Sequence, residues 1–426
     1  MFIKTKMQNI SVAKRFRSFN RSLAAFTVLS VLALGFIMCQ KSSPTETTNP
    51  VEKWVGTWNC SQQLVEPGNM PPAKPGLTNN SLRQIVRVSI GGERIRVKFS
   101  NEFSTSPVTL KEARIAVSVD ASVIDTETDT KLLFAGAPEV TMAPGTAVTS
   151  DPIDFTLAPR SNVTITILFG DTSPDVTGHP GSRTTSYLFE GNKVAAGDFI
   201  GAKQMDHWYV INGIDVVSAS GAAVAVLGNS ITDGRGSGTN KQNRWTDELA
   251  RRLQENAKTQ NVAVLNEGLG GNCVLRDCLG PAAINRFERD IVNQAGVRWA
   301  IILEGVNDLG QAADTNATAI ANDLIAAYEQ MVITAHANNI LVYGATILPF
   351  GESFYDTDAR EAARQQVNTW IRAAGHFDGV IDFDAAMRKA DDPTMLQTEV
   401  DGGDHLHPNE AGYVKMAETV DLTLFE

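Results

Sequence analysis

The stretch Gly221-Ala-Ala-Val-Ala-Val-Leu-Gly-Asn-Ser-Ile-Thr-Asp-Gly234 decides how the chain is read. Its apolar run, Ala222 to Leu227, is short and unbroken, as expected of a strand buried on both faces. The run stops at Gly228, and a polar, glycine-flanked turn presents Ser230. A serine at the carboxyl end of a parallel strand sits where open α/β sheets place their ligands. Alone, such a serine more often caps a helix than serves as a nucleophile.

From Gly221 onward, strands and helices alternate. Strands are expected at Ala222–Leu227, Val262–Asn266, Trp299–Leu303, Ile340–Leu348 and Val380–Phe383. Helices are expected at Arg244–Asn256, Pro281–Gln294, Asn316–Ala337, Asp358–Ala374 and Asn409–Val420. Leu249 and Leu253 fall on one helical face, with Arg251, Arg252 and Glu255 on the other. This rhythm predicts a flavodoxin-like three-layer α/β/α domain over 219–426, built on a five-stranded parallel sheet.

The first three strands end in polar turns: Gly228-Asn-Ser230, Asn266-Glu-Gly-Leu-Gly-Gly-Asn272 and Glu304-Gly-Val-Asn-Asp308. In a parallel sheet these turns share one edge. The loop before the last helix adds Asp404-His-Leu-His-Pro408. A serine hydroxyl needs a base, and His407 can supply it. Asp404, three residues earlier, can fold back to fix the imidazole tautomer. Gly270 and Gly271 let backbone N–H groups approach an oxyanion, and Asn307 can donate a side-chain N–H. Gly270 reads better as a turn residue, and Asp308 as a supporting or capping group. His405 is the rival to His407, and a metal site would use Asp404, His405 and His407 together; no further ligand is evident, so no metal and no cofactor are expected. The other histidines, His179, His207, His336 and His376, read as structural or exposed. Trp245 reads as core rather than as pocket wall.

These blocks resemble, in order, those of the SGNH (GDSL-like) hydrolases, over the whole of Gly221 to Glu426. Gly228 to Gly234 matches the nucleophile block, Asn266 to Gly271 the second, Gly305-Val-Asn-Asp308 the third and Asp404-His-Leu-His-Pro408 the last. The resemblance implies Ser230 as nucleophile, His407 as base and Asp404 as its orienting acid. It implies an oxyanion hole from Ser230, Gly271 and Asn307. One departure is Asn229, where the family usually has aspartate. The implied activity is carboxylic ester hydrolysis through an acyl-enzyme. O-acetyl or short acyl groups on carbohydrate, as in an acylated polysaccharide, are the expected substrates. The alternatives are a lipolytic esterase for longer chains and a non-catalytic surface carbohydrate-binding protein.

Residues 53–218 read differently. Short β-rich runs at Gln84–Ile90, Arg94–Ser100, Ala113–Val119, Phe155–Leu157 and Val163–Phe169 are separated by turn residues. That spacing predicts an all-β sandwich, jelly-roll-like, in front of the hydrolase domain. Trp54-Val-Gly-Thr-Trp58, Leu82 to Arg87 and Arg183-Thr-Thr-Ser-Tyr187 resemble the front segment of large bacterial members of the same family.

The first 45 residues contain no acid, and six basic residues precede the apolar run Leu23–Met38. This patterning predicts a signal peptide over 1–38 and an exported, periplasmic, outer-surface or secreted protein. Cys39 and the Ser/Thr/Pro-rich tether 39–52 resemble a lipoprotein start, although Met38 is bulkier than usual there. Lipidation at Cys39 would anchor the chain to a membrane; cleavage to a free protein is the alternative. In an exported chain Cys273 and Cys278 are candidates for a disulfide, and Cys60 for a buried thiol. A net charge of −11 with no basic run in the body argues against nucleic acid as a partner.

Overall fold

The computed structural model describes residues 52–426, so the leader and Cys39 lie outside the described residues. The C-terminal half is built on five parallel strands, Ala222–Gly228, Val262–Gly268, Val297–Leu303, Leu341–Ala345 and Gly379–Ile381, in the spatial order 2-1-3-4-5. Side-chain alternation along the first strand divides the interior. Ala223, Ala225 and Leu227 enter one core, while Ala222, Val224 and Val226 enter the other. With both faces covered, the strand needs no polar position, which is why it reads as one apolar run.

Helices Ala317–Ala337 and Asp358–Arg372 contribute to the first core, and Trp245–Glu255 and Glu410–Thr419 to the second. Their starts are chemically marked. Thr357 accepts from the Arg360 N–H, and Asn409 from the Gly412 N–H. Each satisfies one backbone donor that has no partner within its helix. Trp245 is fully buried, its ring edge-on to Phe383, and is core.

The front half is antiparallel. One sheet runs 54–59, 211–217, 92–101, 153–157, with 146–149 also on 92–101. A larger sheet centres on 81–87, 162–169 and 108–120, and a small third sheet joins 208–209, 177–179 and 63–64. Ile95, Val97 and Phe99 of the first sheet share a core with Ile115, Ile165 and Ile167 of the second, which makes the sandwich.

That same core continues into one face of the parallel sheet. Residues 52–426 belong to one compact unit, and a Cβ on Gly56 would meet Leu265 of the second parallel strand at 3.0 Å. Ser89 Oγ accepts from the Val264 N–H at 3.1 Å, binding the sandwich to the strand that leads into the second loop of the site.

Three departures from the sequence expectation stand out. The run expected at Gln84–Ile90 is a strand at Ser81–Arg87 instead. The N–H groups of Ser89 and Ile90 are taken by the Thr57 carbonyl and hydroxyl, away from the ladder. The helix expected at Pro281–Gln294 is an α-turn, Ala283–Phe287, followed by a π-helical turn, Glu288–Val292. The strand expected to reach Leu348 ends at Ala345. Asn368 accepts from the Ile347 N–H and donates to the Ile347 carbonyl, and Arg364 donates to the same carbonyl. Side chains of the neighbouring helix thus replace the ladder there.

Among the described residues no helix is long and apolar enough to cross a membrane.

Candidate active site

Ser230 is the first residue of a single helical turn, Ser230–Asp233, directly after the first parallel strand. Asn229 caps that turn, its Oδ1 accepting from the Ile231 N–H, and Gly234 closes it in the left-handed conformation. Ser230 is buried except for the face it turns to a cavity of about 400 Å³.

His407 stands opposite, its Nε2 2.8 Å from Ser230 Oγ. Its Nδ1 lies 2.7 Å from Asp404 Oδ2. Asp404 Oδ1 accepts from the His407 N–H at 2.8 Å and the Leu406 N–H at 3.2 Å, which locks the three-residue return of the loop. The hydrogen bonds fix one proton pattern: Nδ1–H donates to the carboxylate, and Nε2 is free to accept from the hydroxyl. His405 is turned away, its Nδ1 2.6 Å from Asp401 Oδ2.

Electrostatics suit a base. Burial pushes the His407 imidazolium below the ordinary value of 6.5; Asp404 opposes this, and Arg235 and Arg183 reinforce it. Partial burial pushes the Asp404 carboxyl up, but hydrogen bonds from the His407 N–H and imidazole outweigh it, so the group stays below its ordinary value.

Gly271 and Asn307 line the same cavity. Gly271 has φ +70°, and a Cβ there would meet the Leu279 side chain at 2.8 Å. Both facts demand glycine, since a side chain would strain the backbone and crowd the cavity. Among the described residues the Ser230 and Gly271 N–H groups carry no hydrogen bond. The Asn307 amide is held at both ends: Nδ2 donates to the Asn272 carbonyl at 2.7 Å, and Tyr355 OH donates to Oδ1 at 2.9 Å. The second Nδ2 hydrogen is left for the cavity. Gly270 is a turn residue whose Cβ position faces Asp233 Oδ2 at 3.3 Å.

Asp308 accepts from the N–H groups of Val274 and Leu275, at 2.8 and 3.0 Å, and so fixes the loop after Gly271. Cys273 and Cys278 are joined in a disulfide within that loop. Cys60 is a buried free thiol, pushed well above its ordinary pKa by burial and then by Glu267.

Sequence reasoning missed the group that ties the strand ends together. Arg286 has a fully buried guanidinium. Its Nε donates to Asn272 Oδ1, and its terminal nitrogens donate to the carbonyls of Gly228 and Glu267, to Ser61 Oγ and to Asp290. It thus spans the nucleophile strand, the second strand and the oxyanion loop. Glu304, at the end of the third strand, lies 3.5 Å from the same guanidinium and accepts from Asn229 Nδ2 at 3.1 Å. An arginine inside an expected amphipathic helix gives no sign of this role. The one available signal is that so long a charged residue occupies a core-facing position.

The front half supplies one wall of the cavity through Gln63, Glu66, Pro180, Gly181, Arg183 and His207. His179 bridges the halves, its Nδ1 2.8 Å from the Ser61 carbonyl and its Nε2 2.9 Å from Asp233 Oδ1. A Cβ on Gly181 would fall 1.7 Å from Asp233 Oδ2, so the loop can cross there only as glycine.

A serine hydrogen-bonded to an imidazole, the imidazole to a carboxylate, on the edge of a 2-1-3-4-5 parallel sheet, defines a serine-hydrolase arrangement. Residues 226–415 match the GDSL-like Lipase/Acylhydrolase family. The matched segment carries the serine, imidazole and carboxylate that carboxylic ester hydrolysis needs. Solved structures similar to it include a GDSL-like lipase from Bacteroides thetaiotaomicron VPI-5482. That protein is 20% identical over 48% of this chain and 87% of its own, with a TM-score of 0.36. An acetylxylan esterase from Geobacillus stearothermophilus is 21% identical over 47% of this chain and 92% of its own, with a TM-score of 0.37. No curated protein matches the chain.

Proposed function

We propose that this protein is an exported esterase that removes O-acetyl or other short acyl groups from carbohydrate through an acyl-enzyme on Ser230. The observation that carries the reading is the 2.8 Å contact between Ser230 Oγ and His407 Nε2, at the floor of a cavity walled by both halves of the chain.

In this mechanism His407 Nε2 takes the Ser230 proton as Oγ attacks the ester carbonyl. The Ser230 and Gly271 N–H groups and Asn307 Nδ2 receive the oxyanion, and Asp404 stabilises the imidazolium. Collapse breaks the ester bond, and His407 returns the proton to the leaving alcohol. Water then attacks the acyl-enzyme by the same route, with His407 as base, and releases the carboxylic acid. The polar wall of Gln63, Glu66, Arg183 and His207 favours a hydroxyl-rich alcohol part over a lipid.

A second reading has its own support. Leu279 and Phe354 line the cavity mouth yet are 49% and 70% exposed, which would suit a longer acyl chain. The test is a panel of p-nitrophenyl acetate, butyrate and laurate with acetylated xylan. Acetate release from xylan, with rates falling as the chain lengthens, supports the carbohydrate reading. Preference for laurate with no acetate from xylan replaces it with the lipolytic one.

A further inference from the structure

Three carboxylates stand in or beside the cavity, and each has its donors. Glu66 accepts from Gln63 and Asn69, Asp233 meets His179, and Asp404 meets His407. Two guanidiniums in the same cavity, Arg183 and Arg235, have none. Among the described residues neither side chain makes a hydrogen bond or an ion pair, and Arg183 Nε is buried without a partner. A buried donor left unmade costs free energy, and Arg183 Nε is one of several such atoms among the described residues.

The backbone reinforces the point. Arg183 has φ +50°, a left-handed conformation that disfavours a residue with a Cβ. Its carbonyl accepts from the Asn240 N–H, and the Arg235 carbonyl accepts from the Tyr413 hydroxyl. The main chain at both positions is therefore pinned while the charged ends stay unengaged. Strain of this kind, held by the surroundings, marks functional positions.

Position decides which part of the ester they face. His407 returns its proton to the leaving alcohol, and Arg183 and Arg235 line the same cavity as His407, their charges helping to push its imidazolium below the ordinary value. The oxyanion side is furnished differently. Tyr355, which holds Asn307, has Arg276 and Arg360 as its cationic neighbours, and the apolar Leu279 packs over Gly271. Leu279 supplies apolar surface beside the oxyanion hole, and Arg183 and Arg235 share the cavity with His407, the group that meets the leaving alcohol.

We propose that Arg183 and Arg235 form an anion subsite on the leaving-group side of Ser230, so that the preferred esters carry a carboxylate on their alcohol part, as an acylated acidic sugar does. A monoanion suits the site better than a doubly charged phosphate, because Glu66 and Asp233 line the same cavity. The inference rests on the ester-hydrolase reading of Ser230 and deepens the carbohydrate reading.

The experiment compares 3-acetoxybenzoate with its methyl ester, two acetates that differ in one charge on the alcohol part. kcat/KM is measured for both with the wild type, Arg183→Gln, Arg235→Gln and the double variant. The expected wild-type ratio favours the free acid by about tenfold or more, the scale of charge-assisted hydrogen bonds. The ratio falls part-way in each single variant and to about one in the double variant. Because the readout is a ratio within each protein, partial loss of folded enzyme does not imitate it, and the exposed Arg235 gives a variant with little demand on packing. A wild-type ratio of one or less, a ratio the double variant keeps, or failure on both esters by protein active on p-nitrophenyl acetate overturns the subsite. Acetate release from acetylated xylan and acetylated polygalacturonate reports separately on carbohydrate. Failure on both polymers with the acetoxybenzoate ratio intact removes the carbohydrate reading and leaves the subsite standing.

Discussion

Asn229 Nδ2 donates to Glu304 Oε2 across 3.1 Å, joining the cap of the nucleophile turn to the end of the third parallel strand. Glu304 is fully buried, and burial pushes its carboxyl up to about 8 against the opposing charge of Arg286; Asp308 adds to the rise and the Asn229 hydrogen bond subtracts from it. Aspartate at 229 could cap Ile231 equally well, but it would place a second buried carboxyl against Glu304, whose ionisation burial already opposes. The departure from the usual family residue therefore matches the glutamate opposite it.

Asn229→Asp tests this pairing. The added carboxylate raises the folded-state pKa of the pair further above the unfolded value, so stability falls as pH rises through that window. A loss of about 1–3 kcal/mol relative to wild type is expected at pH 8, shrinking toward pH 5, in urea denaturation. Glu304→Gln in the same chain should restore most of it. Equal destabilisation with and without Glu304→Gln would separate the two residues.

Ser230→Ala and His407→Ala should each lower kcat/KM for p-nitrophenyl acetate on the order of 10⁴-fold or more, with thermal unfolding little changed. Retained turnover in Ser230→Ala would remove the mechanism.

Tyr355→Phe removes the hydroxyl that fixes Asn307 Oδ1. The prediction is a fall in kcat of about tenfold, with KM much less affected, since an oxyanion donor acts mainly in the transition state. A change confined to KM would assign Tyr355 to substrate binding instead.

The pH profile of kcat/KM should show its acid limb below 6.5, because burial holds the free-enzyme His407 imidazolium below that value. Arg183→Gln/Arg235→Gln removes two nearby positive charges, which raises that pKa and moves the limb to higher pH. A shift to lower pH would contradict the assigned positions of both guanidiniums.

Arg286→Met leaves Asp290, Glu267 and Glu304 without their shared cation. Stability should drop by about 3–5 kcal/mol in denaturant titration, as when one partner of a buried ionic group is deleted.

The parallel sheet was legible because strands buried on both faces are written as apolar runs, and Ala222–Leu227 is one. The strand-end turns were legible because the chemistry there needs particular residue types in particular places. Ser230, Asp404 and His407 come together as their blocks suggested, although 177 positions separate the nucleophile from the base. What escaped the sequence depends on long-range packing. Arg286 lies inside a helical segment whose pattern says only amphipathic, and Glu304 looks like one more polar turn residue. The wall built by Glu66, Pro180 and Arg183 comes from loops of the antiparallel half, and nothing local to those residues points toward Ser230. Strand limits at 81–87 and 341–345 shifted because Thr57, Asn368 and Arg364 took backbone groups that local pattern assigns to a ladder.

The crossing of the His179–Gly181 loop over Asp233 makes the two halves a single inheritable unit. A binding module on a tether can be traded between genes with little loss to its neighbour. Here a recombination event near residue 218 would carry off one side of the reaction chamber and the histidine that meets Asp233. Exchange of the front half between relatives should therefore be tolerated only when the incoming partner brings a matching loop, so the halves are expected to diversify in step.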